Sequence, residues 1–593
     1  MDIDLMLNEL LKKYELNKID EVSYVVKCTR EHIKRQWNDI PDKERIAIWG
    51  AGGHTEALLK LVDTSKKNLV CIIDKNSELW GKEIEGINII SKDEIKKYKI
   101  DIVVISTMSY IDEIKNEIID LGYRYLDFYK KISLLNGTMF PWQDNVKFSF
   151  EHKYINLFNL KKSYEKEKDE KIRESLLRNL IIEYLYIRDI VNGKKCIYKY
   201  IENDFKNSNL YKKFLLELDT FLQKIKQKIK YRQNNDFIFM ICDALRYDYV
   251  EKARNGKNNF KFLENMANNS VYYMNAYSNS TYTRASFKSM FEEKLIIDDK
   301  CIEDKQYSLN INNSRLIKEL KEKKYEIINN SIFTITDNES EKSEIKKKDF
   351  KACSEQLWNM IKELCKNDNN TFTINHFVES HIPYVGGFHT DMIIIYPNDI
   401  EVTNLQRKKL EIQIEESIRY LDEQMRFYNE FFPENCYKII TSDHGQSSFE
   451  KDQINNNIFS ACEYNIKTPL CISKKGLKNQ ITYELFDKIN LSSLIINLIR
   501  KDKIKKFNVD FVNIQRDSIY NNKLIDSCYI NTITIKYTKA FKVIKTLNEK
   551  YILYEDGKEE LYIMPNESIN QINNPMYIEK LKNIKSYLKN RNF

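Results

Sequence analysis

The chain has 593 residues, with 95 basic and 87 acidic side chains that leave a formal net charge of +8. At roughly 150 residues per domain, this length predicts about four domains, or fewer if one of them is a large α/β unit. The charge excess is small and no block of Lys and Arg is long and unmixed, so we expect a mixed, solvated surface and no nucleic-acid partner.

Cysteine usage and hydropathy indicate the compartment. The 11 cysteines include no CxxC pair, and several of them, such as Cys71, Cys242 and Cys471, fall in apolar runs, which is typical of reduced and buried thiols. The start of the chain has no apolar signal core, and no run of about 18 apolar residues occurs anywhere. We therefore predict a cytoplasmic protein without an integral membrane segment, and we leave its oligomeric state open.

We expect residues 1–40 to form a helical segment and residues 41–135 to form a small domain of alternating strands and helices. The first strand, Arg45 to Trp49, runs into a glycine turn, GAGGHTE, in which backbone N–H groups can approach a phosphate at a helix N-terminus. A second strand ends about 20 residues further on, where a dinucleotide fold places the acid that binds the ribose. The predicted cofactor-binding residues are Gly50, Gly52, Gly53 and Asp74.

This glycine motif is incomplete, because Thr55 stands where the third glycine would be. A nucleotide or nucleotide sugar, a redox NAD and a purely structural role are therefore alternatives for this domain. His54, beside the glycines, could touch a phosphate or be an incidental loop residue. The segment resembles the small Rossmann-like N-terminal domains that are attached to sugar-modifying enzymes.

We predict that residues 136–235 form a helical connector. Their apolar positions recur near i, i+3, i+4 and i+7, which is the period of a helix with one buried face. We find no residues for chemistry, no repeat and no low-complexity linker in this segment.

Two apolar runs further along the chain end at acidic residues. The predicted strand Phe237 to Cys242 ends at Asp243, and the predicted strand Tyr437 to Thr441 runs into Ser442-Asp443-His444-Gly445. Ligands of open α/β sheets bind at the C-terminal ends of the strands. If the two strands are close together in one sheet, Asp243, Asp443 and His444 can converge on a metal ion.

Hydroxyl and imidazole groups lie between these two runs. The segment Ser278-Asn279-Ser280-Thr281-Tyr282-Thr283 precedes a predicted helix, as a nucleophile at a helix N-terminus would. The predicted strand Thr371 to Phe377 continues to His381-Ile382-Pro383-Tyr384. Four of the 7 histidines fall in this region. Two of them, His376 and His381, can both face one cleft, and we rank His389 below them.

The order of these motifs along the chain resembles that in the sulfatase branch of the alkaline phosphatase superfamily. The motifs are the strand that ends in Asp, the Thr-x-x-Ser segment, the His-x-Pro-Tyr segment and the Ser-Asp-His-Gly segment. The resemblance implies an α/β fold, with a large alkaline-phosphatase-like sandwich at 236–515 and a small C-terminal α+β subdomain at 516–593. It also implies one divalent ion, Mn, Mg or Zn. The implied ligands are Asp243, Thr283, Asp443 and His444, and the implied catalytic residues are Thr283, His376 and His381.

The same resemblance places Thr283 at the position of the nucleophile, with Ser280 and Thr281 as rivals. Sulfatases have a Cys or Ser there, in a Cys-x-Pro-x-Arg-like signature whose first residue is oxidised to formylglycine, whereas Ala285 and Phe287 here replace the Pro and the Arg. A threonine cannot form formylglycine. The chain is therefore more similar to the phosphoethanolamine and phosphoglycerol transferases and to the phosphatase and phosphodiesterase branches.

Relatives with two metal ions carry an Asp-x-x-x-His spacing, which this sequence lacks, so we expect one ion. Two other positions depart from many relatives, since Ala244 replaces a second Asp and Gln446 replaces a Glu after Asp-His-Gly. Either departure implies a different substrate or weaker metal binding.

We predict a metal-dependent phosphoester transferase or hydrolase that acts through a covalent phospho-threonine and modifies a glycan or its precursor with a phosphoalcohol group. Its substrate would be a small-molecule or glycan-precursor phosphoester. The alternatives are a phosphodiesterase or phosphomonoesterase that acts on a small molecule, and a catalytically inactive sulfatase-like scaffold.

Overall fold

A computed structural model describes most of the chain. The described residues are 2–17, 24–107, 111–128, 150–299, 308–310, 312–336, 351–382, 384, 386, 404–450, 460–507, 509–518 and 539–588. The chain divides into two compact units. We call the first, built mainly from Asn17–Tyr184, the small unit, and the second, built from Met1–Leu16, Leu185–Gly387 and Ile395–Phe593, the large unit. The division of the chain into five domains stays a prediction.

The described helices and strands alternate along most of the chain. The helices are α1 Ile3–Lys13, α2 Tyr24–Asn38, α3 Gly53–Leu61, α4 Ile111–Asp120, α5 Phe150–Lys166, α6 Glu170–Tyr186, α7 Ile190–Glu202, α8 Ser208–Lys230, α9 Tyr247–Arg254, α10 Lys261–Asn268, α11 Thr283–Glu292, α12 Arg315–Glu322, α13 Cys353–Lys366, α14 Asn404–Asn429, α15 Glu463–Ile466, α16 Leu491–Lys501 and α17 Ile578–Ser586. The strands are β1 Arg45–Trp49, β2 Asn68–Ile73, β3 Glu83–Ile84, β4 Ile87–Ile90, β5 Ile102–Ile105, β6 Arg124–Asp127, β7 Phe237–Cys242, β8 Val271–Tyr277, β9 Ser308–Asn310, β10 Glu326–Asn329, β11 Thr334–Thr336, β12 Thr371–Phe377, β13 Tyr437–Thr441, β14 Lys467–Thr468, β15 Leu470–Ser473, β16 Gln480–Asp487, β17 Val512–Arg516, β18 Phe541–Lys545, β19 Glu549–Tyr554 and β20 Glu559–Ile563.

The small unit is built on a mixed sheet with the strand order β3-β4-β2-β1-β5-β6. All its pairs are parallel except β3 with β4. The five parallel strands have the order 3-2-1-4-5 of a doubly wound sheet, in which the first strand is central and its C-terminal end faces the ligand crevice. Gly50 follows β1 with φ +114°, and a Cβ there would lie 2.9 Å from the carbonyl oxygen of Ser106. Only glycine fits this turn.

The large unit is built on a sheet with the strand order β10-β12-β7-β13-β15-β8-β14, in which β16 also pairs with β8. The strands β10, β12, β7 and β13 run parallel, and β15 is antiparallel to β13. Every residue of β7 is buried. A parallel strand of this kind is covered by helices on both faces of the sheet. Its sequence is a continuous apolar run because neither face is in contact with water.

The main core of the large unit lies between this sheet and the helices α11, α12 and α16. Phe239 and Phe287, which are each 0 % exposed, and Leu494 contribute to it. A fully buried side chain of this size contributes about 1.5–3 kcal/mol, so the core fixes the position of α11 against the sheet.

A separate antiparallel sheet, with the order β17-β18-β19-β20, follows in the C-terminal region. Ile584 of α17 is buried in a cluster with Tyr551 and Leu561 of this sheet. The predicted α/β class, with a large sheet domain and a small C-terminal α+β element, is confirmed. Among the described residues, no helix combines the length and the apolar character needed to cross a membrane.

Candidate active site

Three neighbouring parallel strands bring the predicted metal ligands to one edge of the large sheet. Strand β7 pairs with β12 on one side and with β13 on the other. Asp243 follows β7 directly, His376 is the second-last residue of β12, and Asp443 and His444 follow β13 within three residues. Since parallel strands end at the same edge, residues up to two hundred positions apart meet there.

The side chains at this edge are close to one another and buried. Asp243 Oδ2 lies 3.2 Å from His376 Nε2, and Asp243 Oδ1 lies 3.5 Å from His444 Nε2. Asp443 Oδ2 lies 3.4 Å from the same His444 nitrogen. His381 is the more exposed member of the cluster, with a ring centroid 6.1 Å from that of His444. The structure thus brings together Asp243, His376, His381, Asp443 and His444.

Backbone hydrogen bonds hold the ends of the two ligand-bearing strands. The N–H of Asp243 donates to the Phe377 carbonyl over 2.7 Å, and the Ser380 hydroxyl donates to the Asp243 carbonyl over 2.7 Å. The N–H of Ala244 donates to Asp443 Oδ1 over 3.1 Å. Ala244 adopts φ +59°, which is uncommon for a residue other than glycine. This unusual backbone turns its N–H toward the Asp443 carboxylate.

Thr283 is the first residue of α11 and is partly exposed. Its Oγ1 lies 3.2 Å from His444 Nε2, so it joins the cluster. The rivals Ser280 and Thr281 are 1 % and 0 % exposed. The N-cap residue of α11, Tyr282, makes no side-chain capping hydrogen bond within the described part of the chain. The first N–H groups of a helix have no partner inside the helix.

Two of the histidines are oriented through their Nδ1 atoms. His444 Nδ1 lies 2.8 Å from the Gly445 carbonyl oxygen, and His381 Nδ1 lies 2.8 Å from that of Ile382. A carbonyl can only accept, so Nδ1 carries the proton and donates it in each ring. The lone pair of each neutral ring is therefore on Nε2, as is usual for a histidine that binds a metal.

The charges of the cluster are strongly coupled. Burial alone would raise the pKa of Asp243, because it favours the neutral acid. The nearby imidazoles of His381, His376 and His444 have a larger, opposite effect and hold this pKa well below its usual range. Burial also opposes the charged form of His376, but Asp243, Asp443 and Glu379 raise its pKa above the ordinary value. Buried carboxylates and imidazoles at these distances favour an added positive charge between them.

The residues present fit a divalent cation. Two groups have ligand atoms that all lie within 4.8 Å of one another, namely Asp243 with His381 and His444, and Asp243 with His376 and Asp443. Asp243 Oδ1 and Asp443 Oδ2 are buried and have no hydrogen-bond partner among the residues that the structure describes. Unpaired buried carboxylate oxygens are costly, so they need a cation. Mixed carboxylate and imidazole ligands suit manganese, magnesium or zinc.

Sequence reasoning missed several residues that support the site. Lys488 is 0 % exposed, and its ammonium donates to the carbonyl of Ser442, directly before Asp443. Burial lowers the pKa of Lys488 to about 7, although the negative charge of Asp443 partly raises it. Asn279, four residues before Thr283, donates over 2.6 Å to the buried carboxylate of Asp487. No local sequence pattern marks these residues, because only the fold brings them to the site.

The predicted cofactor residues of the small unit lie around the C-terminal end of β1. Asp74 accepts from the N–H groups of Ala51 over 2.7 Å and Asn76 over 2.8 Å, so its carboxylate holds the glycine turn. A cavity of about 270 Å³ adjoins the turn. It is lined by Trp49, Gly50, Asp74, Lys75, Thr107, Glu113 and Ile114.

Gly52 and Gly53 lie at the N-terminus of α3, where both are exposed. His54 Nδ1 lies 3.1 Å from the Ser106 hydroxyl. His389, which ranked lowest among the candidate histidines, and Pro383 of the His-x-Pro-Tyr segment lie outside the described residues.

Comparisons with known proteins bear on both units. Residues 235–499 match the family model described as Sulfatase, and residues 42–126 match the model described as C2185-like, N-terminal. No curated protein matches the chain in sequence.

Several solved structures are similar to 60 % of this chain. A 2-O GAG sulfatase is 15 % identical, with 91 % of that chain covered and a TM-score of 0.46. A phosphonate monoester hydrolase from Silicibacter pomeroyi is 10 % identical, with 94 % of it covered and a TM-score of 0.46. The phosphonate monoester hydrolase of Agrobacterium radiobacter is 11 % identical, with 96 % of it covered and a TM-score of 0.43.

The match to the sulfatase model spans the strands β7, β12 and β13 and every residue of the buried cluster. The resemblance predicted from the ordered motifs is therefore confirmed. The large unit carries a sulfatase-family domain of the alkaline phosphatase superfamily.

Proposed function

We propose that this protein is a metal-dependent phosphoester transferase or hydrolase that acts through a covalent phospho-threonine at Thr283. The observation that carries the proposal is the position of the Thr283 hydroxyl, 3.2 Å from His444 Nε2 and at the first residue of α11. A threonine at this point is next to the metal cluster and at the end of a helix whose first N–H groups have no intrahelical partner.

A divalent cation held by Asp243, Asp443 and His444 would lower the pKa of the Thr283 hydroxyl and neutralise charge on the phosphoryl group. Thr283 Oγ1 attacks phosphorus as the bond from phosphorus to the leaving oxygen breaks. The N–H groups at the start of α11 bind the non-bridging oxygens, since a helix N-terminus favours anions.

His381 is the group placed to move protons. It is the more exposed imidazole of the cluster, and its Nε2 is free to face a substrate because Nδ1 donates to Ile382. In the first step, His381 Nε2 accepts the proton of the Thr283 hydroxyl and gives it to the leaving oxygen. In the second step, it accepts a proton from the incoming alcohol or water and returns it to Thr283 Oγ1. That second attack breaks the bond between Thr283 Oγ1 and phosphorus and restores the enzyme.

The choice between transfer and hydrolysis depends on the acceptor. With an acceptor alcohol the product is a new phosphodiester, for example a glycan or glycan precursor that carries a phosphoalcohol group. With water the protein is a phosphodiesterase or phosphomonoesterase. An inactive scaffold would gain nothing from buried carboxylate oxygens that lack partners, which cost stability unless a cation is bound.

The small unit supports a second, separate proposal, that the cavity beside the glycine turn binds a nucleotide or nucleotide sugar. Lys75, at its edge, is a cation that could pair with a phosphate, and it now pairs with Glu113 over 2.6 Å. Calorimetry with nucleotides and nucleotide sugars tests this directly, with Gly50→Val to distort the turn. Equal binding by wild type and Gly50→Val contradicts the assignment.

Turnover of aryl phosphodiester, phosphomonoester and sulfate substrates tests the reaction class. We expect hydrolysis of a phosphoester that requires added manganese, magnesium or zinc, and no hydrolysis of the sulfate ester. Cleavage of the sulfate ester alone would contradict the proposal. If the wild-type protein binds no divalent ion, the metal-dependent mechanism is wrong.

A further inference from the structure

His376 is the residue of the cluster whose environment least fits contact with a substrate. Its side chain is 0 % exposed. The ring of Phe287 lies edge-on to it, with centroids 4.9 Å apart. Gln356 holds its backbone from both directions, because the N–H of His376 donates to Gln356 Oε1 over 2.9 Å and the Gln356 amide donates to the His376 carbonyl over 2.6 Å. The backbone of His376 is therefore fixed, and its ring is packed inside the protein and away from solvent.

The ring lies further from the neighbouring carboxylate than in a strong hydrogen bond. His376 Nε2 lies 3.2 Å from Asp243 Oδ2 and meets the strict geometry of a hydrogen bond with no group in the described part of the chain. Hydrogen bonds between charged groups are normally about 2.7–2.9 Å long. The contact between this buried imidazole and the buried carboxylate is therefore longer than a strong charged hydrogen bond.

The separations do match neighbouring ligands on one ion. With metal–ligand bonds of about 2.1 Å, adjacent ligands are about 3.0 Å apart in an octahedral site and about 3.4 Å apart in a tetrahedral site. The distance from His376 to Asp243 is 3.2 Å, and the distances from His444 to Asp243 and Asp443 are 3.5 and 3.4 Å. The distances of 3.2 and 3.4 Å fall in this range, and that of 3.5 Å lies just above it. The ligand atoms of Asp243, His376 and Asp443 lie within 4.8 Å of one another.

We propose that His376 is a further metal ligand, through Nε2, and not a residue that touches the substrate. This inference rests on the metal site of the proposed function. Ala244, directly after Asp243, has no ligand atom in its side chain, and its N–H is used to hold Asp443. His376, on the adjacent strand β12, supplies a ligand to the same edge of the sheet from the opposite side of β7 to Asp443 and His444.

The test measures metal binding by the full-length chain, without turnover. Metal-free wild type, His376→Gln and His54→Gln are titrated with Mn²⁺ by calorimetry, and circular dichroism checks that each is folded. His54→Gln is a matched control, because it makes the same chemical change in the small unit. We expect His376→Gln to bind Mn²⁺ at least about 10-fold more weakly, as loss of a ligand requires, and His54→Gln to bind like wild type. Unchanged affinity in folded His376→Gln overturns the proposal.

A second measurement on the wild-type chain keeps the test valid if His376→Gln does not fold. In crystals grown with Mn²⁺, the anomalous peak should lie about 2.1–2.2 Å from His376 Nε2. A peak bonded to Asp243, Asp443 and His444 but beyond about 3 Å from His376 overturns the assignment while leaving the proposed function intact. Weaker Mn²⁺ binding by His376→Gln together with full activity in Thr283→Ala would support the ligand and reject the phospho-threonine.

Discussion

Burial divides the polar residues of the active site into two groups. Asp243, Asp443, His444 and His376 are at most 5 % exposed, whereas Thr283 and His381 are partly exposed. Groups that exchange atoms or protons with a substrate must reach it, so the exposed pair is assigned to the chemistry and the buried set to holding the ion.

His381→Ala tests this division at one residue. We expect the substitution to lower kcat by about 10²–10⁴-fold, because a general acid is lost. The loss should be larger for an alkyl leaving group, which needs the proton, than for a nitrophenyl group, which does not. Mn²⁺ affinity should change less than in His376→Gln. An equal loss with both leaving groups would remove His381 from the role of acid.

His54 gives the small unit a predictable response to acid. Burial lowers the pKa of His54 to about 4, below its ordinary 6.5. The folded state therefore binds fewer protons than the unfolded chain between these values, so stability is complete above about pH 6.5 and falls as the pH drops toward 4. In His54→Gln, the loss of stability between pH 7 and 5 should be smaller than in wild type.

Tryptophan fluorescence can follow this unfolding. Four of the 5 tryptophans precede residue 185, so the signal reports mainly on the small unit. Equal sensitivity of His54→Gln and wild type to pH would show that His54 is not the group that titrates.

At the scale of elements, the loop after β13 carries two ligands and is held by the segment at α15. The N–H of Gly445 donates to the Asn465 carbonyl over 2.8 Å, and the N–H of Ser447 donates to Asn465 Oδ1 over 2.6 Å. A Cβ at Gly445 would overlap the carbonyl oxygen of Tyr464 and lie 3.0 Å from its carbonyl carbon. The neighbouring backbone leaves room only for glycine.

Gly445→Ala should therefore move Asp443 and His444 and weaken Mn²⁺ binding by at least about 10-fold. Gly52→Ala is the control, because a Cβ there meets no atom within 4 Å. Calorimetry with Mn²⁺ compares the two. Tight metal binding by Gly445→Ala would mean that the loop is not held by this contact.

The C-terminal sheet supports the helix that begins with the nucleophile. Tyr282, directly before Thr283, donates its hydroxyl to Asp517 Oδ1 over 2.7 Å, and Asp517 follows strand β17. A double-mutant cycle with Tyr282→Phe and Asp517→Asn should give a coupling energy of about 1.5–3 kcal/mol in the free energy of unfolding. Additive effects would show that the contact does not stabilise the fold.

Sequence patterns predicted the parallel part of the sheet well. The strands β7, β12 and β13 lie at the predicted residues, because each is rich in strand-forming residues and carries or precedes a candidate ligand at its C-terminal end. Strand β8 was not predicted, since Val271–Tyr277 interleaves Asn with aromatic residues. Its partners β15 and β16 lie about two hundred residues away along the chain, and no local period reveals such a pairing.

Residues of the active site that depend on contacts distant in sequence were also not predicted. The residues in ordered motifs, from Asp243 to His444, were predicted, because their chemistry is visible in their order and spacing. Gln356, Lys488 and Asp517 were not, because each acts through a partner that is distant in sequence. The burial of His376 is a tertiary property, and the sequence pattern alone favoured a role at the substrate.

At the scale of the whole molecule, the ion should act as a folding ligand of the large unit. The unfolded chain does not hold Asp243, His376 and Asp443 together, so an ion at 100 times its Kd should add about 2.7 kcal/mol to the free energy of unfolding. Removal of metal with a chelator should lower the Tm followed by circular dichroism, and Mn²⁺ should restore it. An unchanged Tm would argue against a bound ion.

The most direct test of the whole account is to trap the enzyme with its phosphoryl group. Wild type, Thr283→Ser and Thr283→Ala are mixed with Mn²⁺ and an aryl phosphoester, quenched in acid and digested, and the peptides are analysed by mass spectrometry. The account predicts a phosphoryl adduct on Thr283 in wild type, an adduct on the new hydroxyl in Thr283→Ser, and none in Thr283→Ala, whose turnover falls at least about 10³-fold. Full turnover by Thr283→Ala, or an adduct on Ser280 or Thr281, would contradict it.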